Sequence, residues 1–227
     1  HEMQLPLIRM IDGTGGGGSV KTLEDMGYTY IPHVPGWDHI ITNLDTVPVV
    51  ALSLGPTAGL GAARVVASHY SVMVRGLSQL FAAGPAVAAA IGDTLDREEL
   101  GGVEVHARNG VVDDEVASEA EAFAAARRFL SYLPSSVHGL AERTTPTDRV
   151  DRRDQSLLSA VPRDAKQVYS MRRKLDGVVD KGSLFEMGSR WGRAAITAFA
   201  RLDGWPVAVL ASDPSFLGGS WDAKTSE

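Results

Sequence analysis

The run VPVVALSL at 47–54 carries no charge and almost no polar alternation. A strand of that kind needs cover on both faces, which points to a parallel sheet lying between helices. The next segment is equally restrictive. GPTAGLGAARVVASH at 55–69 passes from the strand through a glycine-rich turn, Gly55–Gly61, into an alanine-rich helical stretch over 62–68. A strand, a tight turn and a helix start together present backbone N–H groups that can hold an anion or a developing oxyanion. Glycine also gathers at such junctions for conformational reasons alone. The stretch by itself leaves structure and function both open.

Composition narrows the classes. The 227 residues hold 44% hydrophobic and 22% charged side chains with a net charge of −6, as in ordinary globular proteins. Acidic and basic residues are interspersed without a basic patch, which argues against nucleic acid and anionic membrane as partners. No apolar run approaches the roughly 18 residues of a membrane span. There is no cysteine, which removes disulfides, thiolate catalysis and thiolate metal sites together. His33, His39 and His69 show no ligand-like pairing and there is no HExxH, so no metal site is expected. Ser19, Ser53 and Ser68 lack a GxSxG elbow, and GTGGGG at 13–18 lacks the Lys-Ser/Thr of a P-loop.

Along the chain, Leu5–Ile11 reads as a buried strand, 36–44 as a helix, 71–74 and 77–82 as short strands. Pro85 opens an alanine-rich helix, and 96–100 suits a short helix ended by Gly101 and Gly102. SEAEAFAAARRFLSYL at 118–133 predicts an amphipathic helix with Phe123, Ala126, Leu130 and Leu133 on one face and a Ser118/Glu121 capping box. Asp113-Asp114-Glu115 reads as a solvated loop before it. The polar, proline-containing stretch 134–154 reads as a linker. Beyond it, 169–179 predicts a helix, 183–187 a strand, and 194–202 with 205–211 a hairpin closed by Asp203-Gly204.

These segments resemble, in order, the carboxyltransferase (β) subunit of biotin-dependent acyl-CoA carboxylases, the propionyl-CoA carboxylase-like family. The resemblance is carried by LPLIRMIDGTGGGG, PVVALSLGPTAGLGAARVVAS with SVMV, FAAGPAVAAAIGDTLDREELGGVEVHARNG and RRFLSYLPSS. Beyond the linker it is carried by VPRDAKQVYSMRRKLDGVVDKGSLFEM and AFARLDGWPVAVLASDPSFLGGSWDAKTSE. It implies an α/β, crotonase-like fold of stacked ββα units in two related domains. Residues 1–137 would be most of the first, acyl-CoA-binding domain, 138–154 the linker and 155–227 the beginning of the second, so the chain is expected to be an excerpt of a longer one.

The chemistry implied is transfer of CO2 from carboxybiotin to the α-carbon of an acyl-CoA of the propionyl or acetyl type. Biotin would ride on a separate carrier protein, and no metal would take part in this half-reaction. The partners implied are acyl-CoA, a biotin carboxylase with its biotin carrier, and further copies of the chain in a hexamer. The compartment implied is the cytoplasm, or the mitochondrial matrix in a eukaryote. A biotin-dependent acyl-CoA decarboxylase, or a non-catalytic split-gene assembly piece, are the alternatives. Two of the backbone N–H groups of Gly59, Leu60 and Gly61 would form the oxyanion hole, backed by the helix dipole. Gly15, Gly16, Gly17, Gly18, Ala58, Gly101 and Gly102 would border the acyl-CoA. His106, which with Gly101 and Gly102 matches the family's LGG-x3-H, would be a hydrogen-bonded structural histidine. This sequence departs from the commoner pattern by placing Leu60 where a glycine is usual and Thr57 where a cysteine is usual.

Overall fold

Strand β2 (Val49–Ala58) is the axis of the molecule, and it is covered on both faces as its composition demands. The computed structural model describes residues 1–13, 20–28, 36, 38–90, 92, 94–146, 148–164 and 166–227. Alternate side chains of β2 feed two different cores. Val50, Leu52 and Leu54 pack with Tyr70, Val72 and Val74 against Ala122, Ala126 and Phe129 of the helix Glu119–Leu130. Ala51 faces the other way, with Met73, toward Ala62 and Val65 of the helix Leu60–Val66 and toward Val103 and Ala107. Each fully buried Val or Leu here stabilises by about 1.5–3 kcal/mol.

The sheet is parallel. β1 (Leu7–Gly13) pairs with one edge of β2, and β3 (Tyr70–Val74) with the other along Val50–Ser53. β4 (Gln79–Phe81) takes the place of β3 farther along, pairing with Pro56–Ala58, and β5 (Asp114–Val116) completes the sheet beside β3. This arrangement corrects the expected turn over 55–61. Because β4 and Gly13 both pair with this stretch, the chain stays extended through Gly55, Pro56 and Thr57 and turns only at Gly59.

Other expectations are corrected in detail. β1 is only partly buried: among the described residues it is an edge strand, with Ile8 and Met10 exposed. The 119–130 helix buries Ala122, Ala126 and Phe129 most deeply, continued by Tyr132, while Phe123, Leu130 and Leu133 of the expected face pack partly buried against the same core. The Ser118 hydroxyl accepts from the Glu121 amide as expected, but the Glu121 carboxylate reaches back to the amide of Ala117. The reciprocal capping box belongs to Asp96 and Glu99, at the start of the helix Arg97–Gly101.

The second sheet, β6 (Phe185–Met187), β7 (Ala195–Leu202) and β8 (Trp205–Ser212), is antiparallel. Its β7–β8 hairpin closes as the sequence predicts, with Asp203 and Gly204 both at positive φ (51° and 79°), as a type I′ turn requires. This sheet shares a core with the first unit, since Phe185 and Phe199 stack on Tyr132, Phe185 meets Tyr70 edge-on and Phe199 lies tilted against Phe129. The stretch read as a linker is docked on the hairpin. The Thr144 amide donates to the Gly204 carbonyl, and the Arg143 guanidinium pairs with Asp203.

Candidate active site

The turn at the end of β2 is built from four contacts around Gly59 and Thr57. Gly59 adopts φ 60°, ψ −124°, a conformation that costs an L side chain dearly, and this re-aims the chain into the helix Leu60–Val66. The Gly59 amide donates to the Phe81 carbonyl at 3.0 Å, extending the β2–β4 ladder by one step. The Gly59 carbonyl accepts the first helical bond, from Ala63 at 3.0 Å. Thr57 then fixes the first helical turn. Its hydroxyl donates to the Gly55 carbonyl at 3.2 Å, and its Cγ2 methyl lies 2.6 Å from where a Cβ on Gly61 would stand.

This geometry decides among the three amides offered by the sequence. The expectation that Gly59 itself donates to a ligand is corrected, because its N–H is committed to Phe81. Among the described residues, the amides of Leu60 and Gly61 have no protein acceptor, as the first amides of a helix must. They are left to point out of a turn where Leu60 is 53% exposed. A helix of seven residues adds only a weak dipole, so the site offers two oriented donors rather than a field.

β4 is itself held from behind. A Cβ on Gly101 would fall 2.1 Å from the Leu80 carbonyl oxygen and 2.7 Å from the Phe81 ring, so only glycine lets this helix end approach. The same carbonyl accepts from His106 at 2.8 Å, which places the ring proton on Nε2. His106 is thus hydrogen-bonded, as expected, and its Nδ1 is buried without a partner among the described residues. Gly101 and Gly102 are both buried, Gly101 against Leu80 and Phe81 of β4 and Gly102 against Glu98 of the preceding helix. Ala58 is half-buried, paired with Phe81 at the end of β2. Gly15, Gly16, Gly17 and Gly18, with Ser19 and His33, lie outside the described residues.

The acidic run is the largest correction. Asp113-Asp114-Glu115 is no solvated loop: Asp114 and Glu115 belong to β5, and the run ties the two sheets together. Asp113 accepts from both the amide and the hydroxyl of Ser71, at 2.7 and 2.8 Å. Asp114 accepts from the Tyr70 hydroxyl at 2.6 Å and from the Gly188 amide at 3.3 Å. Glu115 pairs with Arg75 and Arg190. Burial is the main cause that pushes the Asp114 carboxyl up to about 6, raises Asp113 in the same direction and raises the Tyr70 phenol. Nothing in the local sequence announced this, because three successive acids carry no period.

Elsewhere, a cavity of about 680 Å³ is lined by Arg190, Trp191, Arg193, Phe216 and Lys224, with none of the turn residues in its wall. The candidate site offered by the sequence thus lies apart from this cavity, at the 57–61 turn with its β4 support.

Comparison with known proteins agrees with this architecture. Residues 38–227 match the carboxyl transferase domain family. The chain is 31% identical over 183 residues to the methylmalonyl-CoA decarboxylase subunit alpha of Veillonella parvula, covering 80% of this chain and 36% of that one. It is equally identical, over the same length and coverage, to the propionyl-CoA carboxylase carboxyltransferase subunit of Haloferax mediterranei. It thus spans about a third of the length of these relatives. Among solved structures, the transcarboxylase 12S hexamer with methylmalonyl-coenzyme A bound superposes with a TM-score of 0.86 at 25% identity, over 99% of this chain and 42% of that one. The crotonase-like α/β fold expected from the sequence is the observed one. With the family model spanning β2 to β8 and the turn between β2 and its helix, the chain belongs to the carboxyl transferase domain family.

Proposed function

We propose that the protein containing this chain is the carboxyltransferase component of a biotin-dependent acyl-CoA carboxylase, acting on a short acyl-CoA of the propionyl or acetyl type. The observation that carries this reading is the pair of unclaimed amides on Leu60 and Gly61, held in a fixed turn, in a chain of this family. When bound, biotin on a carrier partner supplies the carboxyl group. The chain's own contribution is electrostatic. The thioester oxygen sits against the two N–H groups, which stabilise the negative charge that develops there as the α-proton leaves. A single oriented donor of this kind is worth about 3–4 kcal/mol, roughly 10² to 10³ in kcat.

The residues around the donors hold them still. Gly59 sets the direction of the turn, Thr57 and Gly61 lock its first helical step, and Phe81 anchors it to β4. The exposed position of Leu60 fits a substrate and a carrier-borne group approaching from outside. Residues 138–154 would mark the junction with a second domain, and the assembly would be a homo-oligomer, in line with the hexamer of the transcarboxylase neighbour. The compartment under this reading is the cytoplasm, or the mitochondrial matrix of a eukaryote. No described helix is long and apolar enough to cross a membrane.

Decarboxylation of a methylmalonyl-CoA-type substrate is the second reading, favoured by the Veillonella subunit, which is as similar as the carboxylase. The same donors serve both directions, because the same enolate charge is stabilised. The test is carboxylation by the full-length protein with its biotin-carrying partners, followed as ATP- and acyl-CoA-dependent fixation of labelled bicarbonate. Fixation into the acyl-CoA supports the carboxylase. CO2 release from methylmalonyl-CoA without fixation supports the decarboxylase, and neither activity would overturn the proposal.

A further inference from the structure

We infer that the cavity beside Trp191 is a binding site for a nucleoside phosphate, apart from the 57–61 turn. It measures about 680 Å³, which lies within the size range of small-molecule sites and is far more than a lone phosphate fills. Its walls come mainly from the loop 188–194, which joins β6 to β7, and from the segment that follows β8. Close backbone approaches hold these walls together. A Cβ on Gly110 would fall 2.8 Å from the Trp191 ring, and one on Gly192 would fall 2.9 Å from the Lys224 carbonyl oxygen. Trp191 is thereby packed on Gly110 and half-buried, with part of its surface left to the cavity.

The charge around the cavity is unbalanced. Its lining includes four cations, Arg108, Arg190, Arg193 and Lys224, against one acid, Asp222. Asp222 is engaged by its own helix start, accepting from the amide and the hydroxyl of Thr225 at 2.9 and 2.6 Å. Arg190 is used by Glu104 and Glu115, and Arg108 shares Glu104. Arg193 and Lys224 have no carboxylate partner among the described residues. They rest on aromatic rings instead. The Arg193 guanidinium carbon lies 3.6 Å from the centre of the Phe216 ring, and the Lys224 amine 5.4 Å from that of Trp191.

Each feature selects one part of a ligand. A guanidinium stacked on a ring keeps its N–H groups at its edge, where a phosphate can accept two of them. The Lys224 ammonium adds a second point of positive charge for the same or the next phosphate. The rings of Trp191 and Phe216 offer apolar faces to a flat base. Phosphate, planar ring and a size well above that of an inorganic ion occur together in a nucleotide. A free nucleoside diphosphate and the nucleotide end of coenzyme A carry this same chemistry, and the test separates them.

The experiment is calorimetric titration of the full-length protein with ADP, pyrophosphate and coenzyme A at low salt. Wild type is compared with the double variant Arg193→Ala/Lys224→Ala and with Trp191→Leu. Arg193 and Lys224 are exposed, so their replacement should leave the fold intact, as circular dichroism would verify. Each charge-assisted contact is worth roughly 10-fold, so wild type should bind ADP and the double variant should bind it about 100-fold more weakly. Trp191→Leu should weaken ADP by about 10-fold and leave pyrophosphate unchanged, because only ADP carries a base to stack. A double variant that loses affinity for coenzyme A rather than for ADP would support the site with the coenzyme's nucleotide end as its ligand. Wild type binding neither nucleotide, or a folded double variant binding both as wild type does, would overturn the inference.

Discussion

The Cγ2 methyl of Thr57 occupies the space that a Cβ on Gly61 would need, the two points lying 2.6 Å apart. The pair is complementary: a β-branched residue at 57 demands glycine at 61, and the demand is what packs the helix start onto the end of β2. Gly61→Ala should therefore overpack the turn and cost about 1–3 kcal/mol. Thr57→Ser keeps the hydroxyl that bonds the Gly55 carbonyl but removes the methyl. In a double-mutant cycle on thermal unfolding of the full-length protein, Thr57→Ser should recover most of the loss caused by Gly61→Ala. Additive effects would show that the two residues do not constrain one another.

Gly101→Ala tests the support behind the turn. Its Cβ would meet the Leu80 backbone oxygen at 2.1 Å, and backbone cannot rotate away as a side chain can. The substitution should displace β4 and, through Phe81, the Gly59 anchor. We expect a kcat loss of at least about 10-fold with little change in KM, because donor aim is lost rather than substrate affinity. A folded Gly101→Ala protein with wild-type kcat would mean that β4 does not set the turn.

Arg201 tests the join between hairpin and linker. Its buried guanidinium donates to the carbonyls of Gly204, Glu142 and Ser131 and lies over the Tyr132 ring at 5.0 Å. A lysine there carries all its donors on one nitrogen, whereas the three carbonyls are reached from two separate guanidinium nitrogens. Arg201→Lys should lower stability by about 1.5–3 kcal/mol, read as a drop in Tm. An unchanged Tm would mean that the docked linker is not held by this residue.

The predicted pH response comes from Asp114. Burial raises its carboxyl from the ordinary 3.8 to about 6 in the folded protein. Between those values the native state keeps a proton that the unfolded chain has released, so this group's share of stability falls as pH rises from about 4 to about 6 and is level above. The full effect is on the order of 3 kcal/mol. Asp114→Asn removes the titration. The Tm difference, variant minus wild type, should grow from pH 4 to pH 7, and a difference independent of pH would refute the raised value.

Much of this was legible from residue types. The uncharged β-branched run fixed β2 and its two covers, and Asp203-Gly204 fixed the hairpin, because both signals are local. The candidate turn was legible as a place but not in its detail. Which amide is free depends on the Phe81 carbonyl, 22 residues away in the chain, a contact that no local pattern encodes. β5 was missed for a related reason. Asp113 beside it and its own Asp114 and Glu115 are half-buried only because Ser71, Tyr70, Gly188 and Arg190 arrive from elsewhere to receive them. The roles of Gly101 and Thr57 were likewise invisible as packing, since a glycine's purpose is set by the atom that takes the place of its side chain.

If the backbone at 60–61, rather than any side chain, stabilises the developing charge, Leu60→Pro is the decisive variant. Proline is well tolerated at the first helical position, where the lost N–H has no partner within the helix. Gly59 at ψ −124° is near the mirror image of the extended conformation preferred before proline. The helix should therefore survive while one donor disappears. Leu60→Ala, which shortens the side chain but keeps the amide, is the reference. The quantity to measure is kcat for acyl-CoA carboxylation by the assembled full-length protein, with folding verified by circular dichroism. Leu60→Pro should fall roughly 10² to 10³ below Leu60→Ala. A folded, assembled Leu60→Pro protein with the kcat of Leu60→Ala would show that these amides do not hold the charge.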